Sequence, residues 1–178
     1  MDNVLTQKMN RIKLILMDVD GVLTDGGIIL GNQGLEIKKF NVQDGAGITM
    51  ARLAGLKVGI LTGRISEAVQ QRAKELNFDI VSQGHFNKLT EYEQIKLKLG
   101  LNDPEIAYIG DDILDLGVLR RVGLRIAVAN ARSEVKAEVD YTTVASGGNG
   151  AVREVVDLIL KAQNQWNAVV ERMLSLKS

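Results

Sequence analysis

Hydrophobic residues fall along this chain in short solid blocks separated by longer amphipathic stretches. Residues 12–17 (IKLILM) form a run too short for a helix and too apolar for a half-exposed strand, followed at once by acidic residues and a glycine. That pattern predicts a buried first strand. Residues 57–61 (KVGIL), 78–81 (FDIV), 106–109 (IAYI) and 125–128 (RIAV) repeat it, each followed by small, polar or charged residues. Between these blocks, 48–53, 66–76, 88–99 and 113–122 carry apolar residues at helical spacing. Strands apolar on both faces that alternate with helices predict a parallel sheet covered on both sides, a doubly wound, Rossmann-like α/β fold.

One stretch departs from the alternation. Residues 27–41 have two β-prone arms around Gly31-Asn32-Gln33-Gly34, which predicts a β-hairpin inserted after the first strand. No other insertion is long enough for a cap domain, so 1–178 is expected to form one domain. The region 151–176 is a long helical pattern, broken near Asn164 and containing Trp166, and is expected to pack outside the core.

Composition narrows the function classes. The chain has 178 residues, 46% of them hydrophobic, enough for one substantial core. Basic and acidic residues balance at 22 each without blocks of like charge, which argues against nucleic acid or an anionic membrane as partner. Cysteine is absent, which excludes disulfides and thiolate metal sites. The opening MDNVLTQKMN is too polar for a signal peptide, and no apolar run is long enough to span a bilayer, so a soluble cytoplasmic protein is expected.

In open α/β sheets ligands bind beyond the carboxyl ends of the strands. Here those positions carry Asp18 and Asp20 after the first strand, Thr62-Gly63-Arg64 after the second, Lys88 after the third, and Asp111, Asp112 and Asp115 after the fourth. Taken singly each has an ordinary explanation: a helix cap, a strand-to-helix turn, a solvated helix start. Converging on one crevice, they crowd carboxylates together, and a divalent cation is the natural compensation. Ligation by oxygen alone favours Mg²⁺. Thr62, the amides near Gly63 and the Lys88 charge suit a phosphoryl group, whose transfer depends on positioning and charge stabilisation. The sole histidine, His85, has no companion ligand and reads as a loop residue.

The DVDGVLTDG, LTGR, Lys88 and IGDD elements, in that order, resemble the four motifs of the haloacid dehalogenase superfamily. Within it, residues 41–45 (NVQDG), QGHFNK and SGGNGAVREVVDLIL resemble the capless 3-deoxy-D-manno-octulosonate 8-phosphate phosphatases of lipopolysaccharide biosynthesis. The resemblance implies Asp18 as the nucleophile that becomes an aspartyl-phosphate, and Asp20 as the acid that protonates the leaving alkoxide and then deprotonates water. It implies Mg²⁺ held by the Asp18 carboxylate, the Asp20 backbone carbonyl and Asp111, with Asp112 orienting a water on the metal and Asp115 behind them. Thr62 and Lys88 would hold the phosphoryl group. Asn41, Val42, Gln43, Asp44, Gly45, Arg64 and Arg72 match positions that contact the sugar acid or its phosphate. A homotetramer is implied as well, with the hairpin joining subunits and a neighbour serving as the lid.

Two departures are visible. Gln43 stands where a basic residue is usual, and 164–178 keeps helical spacing where a flexible end is common. A 2-keto-3-deoxy-nononate 9-phosphate phosphatase shares these motifs. A signalling receiver domain shares the sheet, a phosphorylated aspartate, a threonine and a lysine, but lacks an acid at the position of Asp20. A silent regulatory subunit is the third alternative.

Overall fold

The computed structural model describes residues 3–176. In chain order the elements are α1 (Asn3–Asn10), β1 (Leu14–Met17), β2 (Ile29–Leu30), β3 (Glu36–Ile37), α2 (Val42–Leu53), β4 (Lys57–Thr62), α3 (Glu67–Glu75), β5 (Ile80–Gln83) and α4 (Lys88–Leu99). There follow β6 (Ile106–Gly110), α5 (Leu116–Leu119), β7 (Leu124–Ala127), α6 (Ser133–Lys136), β8 (Tyr141–Thr142), α7 (Ala151–Ala162) and α8 (Trp166–Leu174). Six strands form one all-parallel sheet in the order β5-β4-β1-β6-β7-β8, and β2 pairs with β3 in a separate antiparallel ribbon.

The predicted parallel sheet and hairpin are thus both present. Three elements went unpredicted: α1, α6 and the edge strand β8, all short or polar, whose places are set by packing rather than by periodicity. The helix expected over 113–122 is shorter: a 3₁₀ turn at Ile113–Asp115 runs into a single α-helical turn, α5.

Strand β1 lies at the centre, with Leu14, Ile15, Leu16 and Met17 all 0% exposed. It pairs with β4 on one side and β6 on the other, so Met17 stands level with Ile60 and Ile109. From β1 the chain builds outward through β4 and β5, then returns to continue at β6. The switch point of the sheet therefore falls between β1 and β6, where the connections from the two strands lead to opposite sides and open a crevice.

Two helices brace this centre from one face. In α7, Val152, Val155, Val156, Ile159 and Leu160 are buried at helical spacing, and the helix packs on α2. Its first turn is capped from α2: the Asp44 carboxylate accepts from the N–H of Gly150 (3.2 Å) and Arg153 (2.9 Å). The break foreseen near Asn164 is real, since that residue has φ 56°. The segment beyond it corrects an expectation, because α8 does not lie outside the core. Val169 is buried, Trp166, Val170 and Met173 pack on the core, and Arg172 donates to the Leu53 carbonyl at 2.6 Å. Among the described residues no helix is long and apolar enough to cross a membrane.

Candidate active site

Beyond Met17 the chain leaves the sheet at Asp18, whose N–H still bonds to the Ile109 carbonyl at 3.0 Å. The side chain therefore starts from a fixed point at the strand end. Turning away requires Gly21, which has φ 89°, and a Cβ there would lie 2.1 Å from an Asp111 oxygen. The loop is buttressed by the SGGNG segment: a Cβ on Gly147 would lie 1.7 Å from the Gly21 carbonyl oxygen, and Gly148 donates to the Val22 carbonyl. Glycines at these two positions let two loops touch backbone to backbone.

Asp18, Asp20, Thr62, Gly63, Arg64, Phe86, Lys88, Asp111, Asp112 and Leu114 line a crevice of about 250 Å³. A larger hollow of about 750 Å³ lies at the opposite end of the central strands, around Lys13 and Lys57. Those two lysines already face Glu105 and Asp79.

At the floor of the crevice sits an ion-pair network. Lys88, the first residue of α4 and only 4% exposed at its side chain, bonds to Asp18 at 2.8 Å and to Asp115 at 2.7 Å. Asp115 also accepts from the Tyr108 hydroxyl at 2.7 Å and from the N–H groups of Asp111 (2.9 Å) and Asp112 (3.2 Å). Burial pushes the Asp18 carboxyl up to about 6, helped by the like charge of Asp115 and opposed by Lys88. Burial likewise pushes Asp111 to about 7, with Asp115 and Asp18 adding to it. For Lys88, burial works against the ammonium, but Asp115 and Asp18 outweigh it and hold its pKa above the ordinary value. The Tyr108 phenol, buried beside Asp115, stays firmly protonated.

Carboxylate oxygens of Asp18, Asp111 and Asp115 lie within 4.8 Å of one another. Asp115 is not free to ligate, because both its oxygens are engaged by Lys88, Tyr108 and two backbone amides. Asp111 is the opposite case: its Oδ1 is buried and, among the described residues, has no hydrogen-bond partner. An orphaned buried carboxylate oxygen is costly unless a cation meets it. The all-oxygen donor set of Asp18 and Asp111 fits a hard divalent cation such as Mg²⁺.

The residues of the crevice differ in burial. Thr62 closes β4 and is buried at the crevice wall, while Asp112 is exposed and caps the following 3₁₀ turn through the Ile113 N–H. Residues 41–45 are not among those that line this crevice within one chain. Asn41 caps α2 through the Gln43 N–H, Val42 and Gln43 point to solvent, and Asp44 is spent on α7. Arg72 packs against Gly45, pairs with Glu75 at 2.8 Å and covers the Phe40 ring. Helix α2 begins at Val42, earlier than its apolar pattern implied, so this segment is a helix start. His85, as expected, sits exposed in a loop, 3.7 Å from Glu91.

Sequence reasoning missed Glu36 and Lys38, which reach the crevice rim from the hairpin. Lys38 pairs with Asp20, and Arg64 pairs with Glu36 at 2.7 Å. Their spacing at i and i+2 on one face of a β-arm was the available signal. Tyr108 was hidden inside an apolar strand block.

Three comparisons bear on this geometry. The sequence profile of the haloacid dehalogenase-like hydrolases matches residues 77–156. The 3-deoxy-D-manno-octulosonate 8-phosphate phosphatase KdsC of Escherichia coli K12 is 44% identical over 158 residues, covering 89% of this chain and 84% of that protein. The Moraxella catarrhalis 3-deoxy-D-manno-octulosonate 8-phosphate phosphatase, solved with magnesium ion, phosphate ion and a KDO molecule, superposes with TM-score 0.94 at 46% identity, over 97% of this chain and 99% of that one. The Yersinia pestis phosphatase of the same name gives TM-score 0.91 at 42% identity, over 93% and 89% of the two chains.

Proposed function

This chain belongs to the 3-deoxy-D-manno-octulosonate 8-phosphate phosphatases within the haloacid dehalogenase-like hydrolases, and on that premise we propose that it hydrolyses that sugar-acid phosphate at the Asp18 crevice. The observation that carries the site assignment is the buried carboxylate of Asp18 at the switch point, held by Lys88 beside the unpartnered oxygen of Asp111.

In this reading an Asp18 oxygen attacks phosphorus as the bond to the sugar oxygen breaks, and the Asp20 proton passes to that leaving oxygen. Water then attacks the aspartyl-phosphate, Asp20 takes its proton, and the Asp18 carboxylate is restored as phosphate leaves. Lys88 and Thr62 hold the phosphoryl oxygens, and Asp115 keeps Lys88 charged and aimed. Mg²⁺, held by Asp18, the Asp20 backbone carbonyl and Asp111, supplies neutralising charge for the phosphoryl group when bound. Arg64 at the rim suits the anionic end of a sugar acid.

The functional unit in this reading is a homotetramer. Ile28, Ile29, Leu30, Leu35 and Ile37 of the hairpin are between 48% and 72% exposed, and an isolated two-stranded ribbon is marginal in water. Neighbouring subunits that cover it also close a crevice for which the described residues contain no lid. Asn41, Val42, Gln43 and Arg72 would then meet substrate only across such an interface.

The test is phosphate release from a panel comprising 3-deoxy-D-manno-octulosonate 8-phosphate, 2-keto-3-deoxy-nononate 9-phosphate and hexose phosphates, run with the parent chain and Asp18→Asn. The eight-carbon acid is expected to be turned over best and the variant to be inert. Flat, negligible turnover across the panel overturns the reading, and preference for the nine-carbon acid reassigns the substrate.

A further inference from the structure

We propose that Lys38, on the inserted hairpin, is a positioning residue for the general acid: it locks one oxygen of Asp20 and leaves the other for proton transfer. The inference rests on the phosphatase reading above and adds a residue that its chemistry does not name.

Four charged side chains from three segments close a square at the crevice rim. Lys38 Nζ bonds to Asp20 Oδ1 at 2.5 Å and lies 3.6 Å from Glu36 Oε1. Arg64 Nη2 bonds to the same Glu36 oxygen at 2.7 Å, while its Nε stands 3.5 Å from Asp20 Oδ2. The two sides of the Asp20 carboxylate are therefore unequal. Oδ1 makes a short charge-assisted bond, whereas Oδ2 has only a loose electrostatic neighbour.

Burial distinguishes this lysine from an ordinary surface partner. The Lys38 side chain is 1% exposed, although it projects from a hairpin whose apolar residues face solvent. Enclosing a flexible four-carbon stem costs rotamer entropy, and enclosing an ammonium costs hydration. The two carboxylates that flank it, Asp20 and Glu36, offset that cost, and the square of two cations and two anions is neutral. What the arrangement provides is a fixed carboxylate. Asp20 itself sits on a loop past β1, 23% exposed at its side chain, and no other short side-chain bond to it is seen among the described residues.

General acid catalysis depends on placing the proton within hydrogen-bond reach of the leaving oxygen, and misplacement by about 1 Å can cost roughly 10²-fold. With Oδ1 tied to Lys38, rotation of the carboxylate is restrained and Oδ2, the less engaged oxygen, is the one left for proton transfer in both half-reactions. It donates its proton as the ester bond breaks and takes one from water as the acyl-phosphate bond breaks. Because Lys38 belongs to the hairpin, the acid is set by the same element whose apolar arms call for a neighbouring subunit.

The experiment compares single-turnover release of the leaving group, which reports the first step before water enters, from the sugar-acid phosphate, a poor alkoxide leaving group, and from p-nitrophenyl phosphate, whose phenolate departs without protonation. Parent, Lys38→Met, Lys38→Arg, Asp20→Asn and the Lys38→Met/Asp20→Asn double variant are measured, with sedimentation mass checked for each. Lys38→Met is expected to lower this first-step rate on the sugar-acid phosphate by about 10- to 100-fold, and on the aryl phosphate by under about threefold. Lys38→Arg should recover most of the loss, and the double variant should be no slower on the alkyl ester than Asp20→Asn alone, since both changes remove one function. Equal losses on both substrates, additive losses in the double variant, or a loss that follows a change of mass instead of leaving group would overturn the role of Lys38. If Asp20→Asn itself fails to discriminate between the leaving groups, the acid assignment falls, and Lys38 with it. These two failures are read from different variants.

Discussion

Replacing Asp115 by asparagine tests the claim that one buried carboxylate organises the crevice. Its Oδ1 accepts from Lys88 and Tyr108, both at 2.7 Å, and its Oδ2 from the N–H groups of Asp111 and Asp112 at 2.9 and 3.2 Å. An amide keeps the volume but has one acceptor oxygen. That oxygen will turn to the ammonium, because opposing NH₂ to NH₃⁺ is the worse clash, and the new NH₂ then faces two backbone donors. Two partly buried N–H groups lose their acceptor, at up to roughly 1–3 kcal/mol each, and Lys88 keeps Asp18 as its remaining charged partner. Relief of the crowding between Asp115, Asp18 and Asp111 offsets part of this, so a net loss of about 2–3 kcal/mol is expected. Urea unfolding of the metal-free protein, with unchanged m, measures it. A second readout is independent of stability. Asp115 raises the pKa of both Asp18 and Asp111, so its neutralisation should move the midpoint of Mg²⁺ binding against pH to lower values, because the metal competes with protons for those oxygens. A stability loss under about 0.5 kcal/mol, the ordinary range of surface changes, together with an unmoved Mg²⁺ midpoint, would refute the organising role.

Three further outcomes follow from the same geometry. In the metal-free protein Asp18 titrates at about 6 and Asp111 at about 7, both above the ordinary 3.8, so from pH 4 to about 7 the folded state holds protons that the unfolded chain has released. Stability contributed by these groups therefore falls as pH rises through that window. The metal-free melting temperature should be higher near pH 5.5 than near 7.5, Mg²⁺ should erase the difference, and a slope unchanged in Asp111→Asn would contradict the assignment. Chelation should stop turnover, with Mg²⁺ restoring it and Ca²⁺ restoring it poorly, since Ca²⁺ takes more ligands at longer distances and would engage both Asp18 oxygens; metal-independent turnover would refute the site. Replacing residues 27–41 by a Gly-Ser link should yield a smaller species by sedimentation with activity lost more on the sugar acid than on an aryl phosphate, and native mass with full sugar-acid activity would show that the hairpin is neither interface nor lid.

The sheet and the order of its main strands were legible in the chain because β1, β4 and β6 are buried on both faces, and such strands must be written as unbroken apolar runs. The strand-end positions of Asp18, Thr62, Lys88 and Asp111 were legible for the same reason: polarity that resumes abruptly after a buried strand marks where the chain meets solvent. The hairpin showed itself through its glycine-rich turn and exposed aliphatic arms.

Other features had no local signature. The early start of α2 depends on the Asn41 cap and on Asp44 reaching across to the Gly150 and Arg153 amides, a contact more than a hundred residues distant in sequence. That contact pins the start of α7 on α2. Trp166 and Val169 look like an outlying tail until α2 is placed beneath them. Lys38 reads as one more surface lysine, and Asp115 as one more polar residue of a helix, because neither burial nor partner is written into a residue's neighbours in sequence. Periodicity records which face of an element is buried. Which carboxylate meets which ammonium, and which oxygen is left without a partner, depends on distances between segments that only the packed sheet brings together.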